Sequence, residues 1–199
     1  DKQVLIMDEL HALGLPTPKV LWNEPSSEVI GSPFYLMRHI DGSAPPDSPP
    51  FHMDPNCWVA QSTIEQKEGI WWEWVRYMSK VHLIDLDNVE LNLLDRPLLG
   101  NTALDQEIQY YKDFMKWALP EEEHIVCEEV FAWLERNKPS SNNNPTSLVW
   151  GDCRCGNILY KDFKAVALLD WEMAILGDPI MDLSWGIAVD DANSLGLSV

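Results

Sequence analysis

Positive charge is scarce in this chain. Fourteen lysines and arginines stand against 32 aspartates and glutamates, a formal net charge of −18 over 199 residues. So acidic a surface repels phosphate backbones and anionic headgroups, which argues against nucleic-acid binding and against a peripheral membrane anchor. Long apolar runs are also lacking, and none approaches the ~20 residues of a membrane span. Asp1-Lys2-Gln3 leads straight into a helix-like pattern rather than a signal peptide, so a cytoplasmic protein with no membrane partner is expected. Cysteine is sparse: Cys57, Cys127, Cys153 and Cys155 are too few for a disulfide framework and agree with a reduced compartment. Cys153 and Cys155 are one residue apart, outside the usual zinc-knuckle spacing. With His124 and Cys127 they make a four-ligand set on paper, against the plainer reading of two small residues in a tight loop.

What is present is an ordinary globular composition, 46% hydrophobic and 23% charged. A chain of this length buries roughly 70% of its unfolded surface, enough for a core without staples. Val4, Leu5, Met7, Leu10 and Leu13 recur near helical spacing, with Gly14 as a stop and Pro16 and Pro18 blocking continuation. Strand-like runs follow at 19–22 and 33–40, joined by a turn-rich stretch. Residues 41–55 carry five prolines and a glycine and read as loop, the best place for a hinge. Helices are expected at 65–82, 104–119 and 121–136, the last with Glu121, Glu122 and Glu123 in its first turn, where the helix dipole favours negative charge. A polar break at 140–145 precedes short strand-like runs at 147–150, 157–160 and 166–169, with Asp162 in a tight turn, and a final helix begins near Asp182. Most of the ten tryptophans are expected in the core.

The chemistry-bearing segment is Trp150-Gly151-Asp152-Cys153-Arg154-Cys155-Gly156-Asn157, followed by Leu168-Leu169-Asp170-Trp171-Glu172. A hairpin brings the ends of its arms together, so Asn157 and Asp170 can face one point. An amide oxygen and a carboxylate there make a hard-oxygen site of the kind Mg²⁺ takes beside phosphate oxygens. Asp152, on the same rim, is free to accept a proton from a substrate hydroxyl. A loop Asp, an Asn five residues on and then a metal-binding Asp is the order used in kinase-type phosphoryl transfer. The bland alternative is that these carboxylates merely cap turns.

These residues resemble a known family. Residues 150–157, Leu169-Asp170-Trp171-Glu172, Leu176-Gly177-Asp178-Pro179 and Asp182-Leu183-Ser184-Trp185 are similar to the motifs of the aminoglycoside phosphotransferase family, within the protein-kinase-like superfamily. The nearest branch comprises bacterial phosphotransferase family proteins and the kinase domain fused to acyl-CoA dehydrogenases in animals. Phe34-Tyr35-Leu36-Met37 with Asp41-Gly42 resembles its interlobe hinge, and residues 14–20 its link from regulatory helix to strand. The resemblance implies an α+β, protein-kinase-like fold, with residues 1–44 a partial small lobe and 45–199 a truncated, mostly helical large lobe. It implies an enzyme that uses ATP and Mg²⁺ to phosphorylate a hydroxyl of a small molecule, either a hydroxyacyl or acyl-CoA-type metabolite or an aminoglycoside-like compound. Asp152 would be the base, with Arg154 a phosphate-proximal or loop-organising cation. Asn157 and Asp170 would hold the metal, and backbone near Met37, Arg38 and His39 would hold adenine. Glu172 is expected beside the metal Asp, Asp178 and Asp182 as braces of the catalytic loop, and His82 as structural. Trp71, Trp72, Trp74 and Tyr111 are candidates to line a substrate pocket.

The chain departs from the family pattern in three ways. Trp150 stands where the family has His, Cys153 and Cys155 replace an aromatic and a proline, and Gln3 falls near the position of a helix Glu. Trp150 supports an alternative reading, a non-catalytic kinase-like binding module; a third is a metal-binding interaction domain using Cys153 and Cys155. The expected phosphate-covering loop and strand lysine have no counterpart ahead of Asp1. The chain therefore reads as an internal piece of a longer protein, expected to be inactive alone and to bind ATP at ~1 mM or weaker.

Overall fold

Helix α1 (Lys2–Ala12) ends as its glycine dictates: Gly14 adopts φ +80°, the Gly14 N–H donates to the His11 carbonyl and the Leu15 N–H to that of Leu10. This is the Schellman arrangement, which turns the chain sharply toward the next strand. The computed structural model describes residues 2–120, 124–139 and 145–195. Strands β1 (Val20–Glu24) and β2 (Phe34–Met37) pair antiparallel as a hairpin. The second strand is shorter than its sequence run, although the Arg38 N–H still reaches the Lys19 carbonyl at 2.9 Å.

Helix α2 (Ile64–His82) opens on a capping box between Thr63 and Gln66. It buries Ile70, Trp74, Met78 and Val81, and also Glu73, a carboxylate that hydrophobic periodicity does not flag. Glu73 accepts the Ala165 N–H at 3.1 Å and pairs with Arg76, which ties α2 to the segment that carries Ala165. Helices α3 (Ala103–Ala118) and α4 (Ile125–Asn137) follow. Helix α4 begins later than expected, with His124 at its cap; Glu121, Glu122 and Glu123 lie outside the described residues, as do residues 140–144 of the polar break expected at 140–145.

Among the described residues the β structure is three two-stranded antiparallel sheets: β1–β2, β3 (Ser147–Val149) with β6 (Ile175–Gly177), and β4 (Ile158–Lys161) with β5 (Lys164–Leu168). The β4–β5 hairpin turns on Asp162 and Phe163 alone, both at positive φ (50° and 60°), the two-residue geometry whose twist suits a hairpin. Helix α5 (Ile180–Ser194) starts earlier than expected, which puts Asp182 in its first turn.

The core gathers α1, α2 and these small sheets around Trp74, Trp150 and Trp171. The tryptophans divide more evenly than expected. Trp22 on β1 is exposed, and so are Trp72, Trp117 and Trp133 on helices, where periodicity shows an apolar face but not what covers it.

The proline-rich segment 41–55 is not a free connector. Ser43 exchanges two backbone bonds with Tyr160, each 2.9 Å, and the Trp58 indole donates to the Ala44 carbonyl. Asp47 pairs with Arg154, and His52 with Asp190 of α5 at 3.0 Å. The segment lies against the loop that carries Arg154.

Candidate active site

Strand β3 delivers the chain to Trp150, and Gly151 then turns it at φ +89°. A Cβ at Gly151 would lie 2.3 Å from the Met173 carbonyl oxygen, so glycine alone lets the loop pass there. Asp182 on α5, 0% exposed, holds this turn: its carboxylate accepts the N–H groups of Trp150 and Gly151, each at 2.8 Å, and contacts His82 Nε2 at 2.7 Å. The brace expected of Asp182 and the structural role of His82 are thus both seen. Asp178 accepts the Ile180 N–H at 3.0 Å, at the start of α5.

Asp152 follows, half-buried, with both carboxylate oxygens engaged. Asn157 Nδ2 donates to Oδ2 at 2.7 Å, Trp185 Nε1 to Oδ1 at 2.6 Å, and Arg154 Nε to both at 3.0–3.1 Å. Arg154 also reaches Asp47 at 2.5 Å. Burial works against its charge, but the bonds to Asp152 and Asp47 prevail and raise its pKa. Arg154 therefore acts here as a tie between the proline-rich segment and the loop carboxylate.

Asn157 lies in the short 3-10 turn Cys155–Asn157 rather than inside β4. Its amide nitrogen donates to the Asp152 carbonyl at 2.9 Å and to the Asp152 carboxylate at 2.7 Å. Its carbonyl accepts the Leu169 N–H at 2.9 Å, so Asp170, the next residue, stands beside it at the open end of the hairpin. Asp170 is exposed and adopts φ +61°. Amide oxygen and carboxylate are the donor types a hard divalent cation takes, so the residues present fit Mg²⁺.

The strained backbone at Asp170 has a specific support. The Trp150 indole N–H donates to the carbonyls of Leu169 (2.9 Å) and Asp170 (3.0 Å), and its ring stacks on Trp171 with centroids 4.6 Å apart. The bulky residue in the family's histidine position thus joins the loop to the segment carrying Asp170. Trp150→Phe should keep the stacking and lose the bonds. The expected cost is about 1–3 kcal/mol of stability, read from urea unfolding, because two inward carbonyls lose their shared donor.

Met37, Arg38 and His39 lie on and just after β2, and all three are exposed. The N–H of Arg38 is already committed to Lys19. Tyr35 connects the two regions: its hydroxyl donates to Gln3 Oε1 at 3.2 Å, and its pKa is raised by burial and then by the charges of Asp170 and Glu172. Lys2, whose Nζ donates to the Ala174 carbonyl at 3.1 Å, also feels Glu172; burial, then Arg96, lowers its pKa.

The expected aromatic pocket does not form as a unit. Trp74 is buried against the Cys153 sulfur, Trp72 is exposed, and Trp71 and Tyr111 line different cavities. The four-ligand set of His124, Cys127, Cys153 and Cys155 is not gathered: among the described residues no group of three or more His, Cys, Asp or Glu side chains could hold a metal ion, and Cys127 is exposed on α4. Burial raises the Cys153 thiol well above its ordinary value and pushes Cys155 up to about 12. Asp47 and Trp185 are the site residues that sequence reasoning missed. Asp47 carries no local signal, whereas Trp185 lies one helical turn past Asp182.

Fold and site together define a protein-kinase-like architecture. Residues 2–195 match the model of the phosphotransferase enzyme family, and the chain belongs to that family. It is 24% identical over 186 residues to human acyl-CoA dehydrogenase family member 11, covering 92% of this chain and 22% of that protein. It is 27% identical over 188 residues to mouse acyl-CoA dehydrogenase family member 10, covering 93% and 16%. The chain thus spans about a fifth of the length of the relatives it matches. Among solved structures it resembles a Ralstonia eutropha protein described as an aminoglycoside phosphotransferase (TM-score 0.70, 24% identity, 99% of this chain and 60% of that one). It also resembles the aminoglycoside phosphotransferase APH(4)-Ia in a ternary complex with ADP and hygromycin B (TM-score 0.63, 16% identity, 92% and 59%).

Proposed function

We propose that this chain is the catalytic part of an ATP- and Mg²⁺-dependent phosphotransferase acting on a hydroxyl of a small molecule, in a cytoplasmic protein. Residues 1–44 would serve as part of the small lobe and 45–199 as part of the large lobe. The observation that carries the reading is the Asn157 amide. Its nitrogen bonds to Asp152, and its backbone carbonyl accepts the Leu169 N–H, next to Asp170 in the chain. One residue thereby couples a proton acceptor to a cation-holding pair.

In this reading Asp152 takes the proton of the acceptor hydroxyl. Arg154, itself anchored by Asp47, holds the Asp152 carboxylate in plane. Asn157 Oδ1 and Asp170 hold the metal, with Glu172 beside them. Backbone near Met37, Arg38 and His39 borders the adenine. Mg·ATP, when bound, supplies the phosphoryl group and neutralises its charge; everything else rests on positioning by the chain.

The related structures with ADP, ATP and aminoglycosides support a nucleotide and a small-molecule acceptor. The acceptor reading favours a hydroxyacyl-type metabolite over a polycation. A cavity of about 570 Å³ beside Gly151 is walled by Met173, Ile175, Met181 and Ala188, and its one carboxylate, Glu107, already pairs with Arg96. The alternative of a non-catalytic module rests on Trp150, and the bonds from its indole to the Asp170 segment weigh against that alternative.

The division of roles has a direct test in the full-length protein. Asp170→Ala should weaken Mg·ATP binding at least ~10-fold by calorimetry, since one carboxylate ligand to the cation is lost. Metal-free ATP should bind both forms alike. Equal Mg·ATP affinity in both forms would remove Asp170 from the metal site.

A further inference from the structure

Helix α5 grips the catalytic loop at two points one turn apart. Asp182 holds backbone, the N–H groups of Trp150 and Gly151. Trp185, three residues on, holds a side chain: its Nε1 donates to Asp152 Oδ1 at 2.6 Å, the shortest contact to that carboxylate. Gly186 makes the close approach possible. A Cβ there would lie 2.2 Å from the Trp74 ring and 2.9 Å from the Cys153 carbonyl oxygen, so any larger residue would push α5 away from the loop.

The indole has a second surface. Trp185 is half-buried and lines the same cavity of about 570 Å³, across from Tyr111 and Met173. That cavity shares Glu107, Tyr111, Met173 and Ile175 with a neighbouring one of about 530 Å³ that Lys2, Arg96 and Glu172 also line, so a groove runs from an apolar end at the loop to a charged end along α3. Each cavity is in the size range of small-molecule sites.

From this we infer that Trp185 is the positioning residue for Asp152 and, with the rest of its ring, the wall against which the acceptor lays its apolar part. The inference rests on the phosphotransferase reading. An indole suits both duties. Its N–H is a donor only and does not titrate near neutral pH, so it orients the carboxylate without competing for the proton that Asp152 is to receive. A bond to a charged acceptor is among the stronger hydrogen bonds, so it defines one rotamer of Asp152. The ring offers a large rigid apolar face at small entropic cost. Occupying the groove would therefore place the hydroxyl against a carboxylate already aimed by the same side chain.

Two variants separate the duties. Trp185→Phe keeps the wall and loses the N–H; Trp185→Ala loses both. In the full-length protein, slow hydrolysis of Mg·ATP with water as acceptor should fall ~10-fold or more in kcat for both variants, with KM for ATP unchanged. Binding of 1-octanol, followed by saturation-transfer NMR, should weaken ~10-fold in Trp185→Ala and stay within about twofold in Trp185→Phe. The Trp185 indole proton, identified by its loss in Trp185→Phe, should resonate downfield in the wild type and move upfield in Asp152→Asn. Unchanged hydrolysis in Trp185→Phe, or an indole signal indifferent to Asp152→Asn, would overturn the positioning role. Octanol bound equally by Trp185→Ala and wild type would overturn the wall. A wild-type protein with no hydrolysis at all would count against the phosphotransferase reading, and the indole signal and octanol binding would still decide the two contacts.

Discussion

Asp152→Asn should lower phosphoryl transfer by about 10²–10⁴-fold, the range of a positioned general base, with nucleotide affinity nearly unchanged. The substitution is isosteric; Trp185 donates to Oδ1 and Asn157 to Oδ2, so its single amide oxygen keeps an acceptor for one of the two donors. What it loses is the basicity needed for the hydroxyl proton. Initial rates of ADP release, combined with calorimetric titration of Mg·ATP, separate the two quantities. A parallel loss of nucleotide affinity would mean that Asp152 belongs to the nucleotide site rather than to the acceptor.

The second large effect is on stability. Asp182→Ala should cost about 3–5 kcal/mol, because it strips the partner from two inward N–H groups and from His82 at a position that is 0% exposed. Urea unfolding would read the loss directly. Asp182→Asn, which keeps an acceptor oxygen, should cost less. If Asp182→Ala unfolded at the wild-type midpoint, the account of how α5 holds the loop would be wrong.

Local features were readable in the sequence. The Schellman stop at Gly14, the apolar stripe of α2 and the tight turn at Asp162 each depend on residues within a few positions of one another. The order of Asp152, Asn157 and Asp170 was legible because a hairpin converts sequence order into proximity, and the family resemblance rested on the same residues. Less legible were contacts made across the fold. Asp47 is one acid among many until the proline-rich segment is seen lying on Arg154. Trp150 looks like a substitution hostile to the site until its indole is seen pointing at the Leu169 and Asp170 carbonyls. Glu73 sits on the buried side of α2 because the Ala165 N–H needs an acceptor there, a need no helical pattern reveals. The stripes of α3 and α4 suggested buried tryptophans, yet Trp117 is 77% exposed and Trp133 57%.

Phosphoryl transfer itself is the most direct test of the central claim. The full-length protein would be incubated with Mg·ATP and a panel of hydroxylated acyl compounds and aminoglycosides, and the products followed by ³¹P NMR. The account predicts a new phosphomonoester formed in step with ADP, with an apolar-bodied acceptor preferred and the signal lost in Asp152→Asn. Mg·ATP that binds but is never turned over with any acceptor, with wild type and Asp152→Asn indistinguishable, would contradict it and make the chain a nucleotide-binding module.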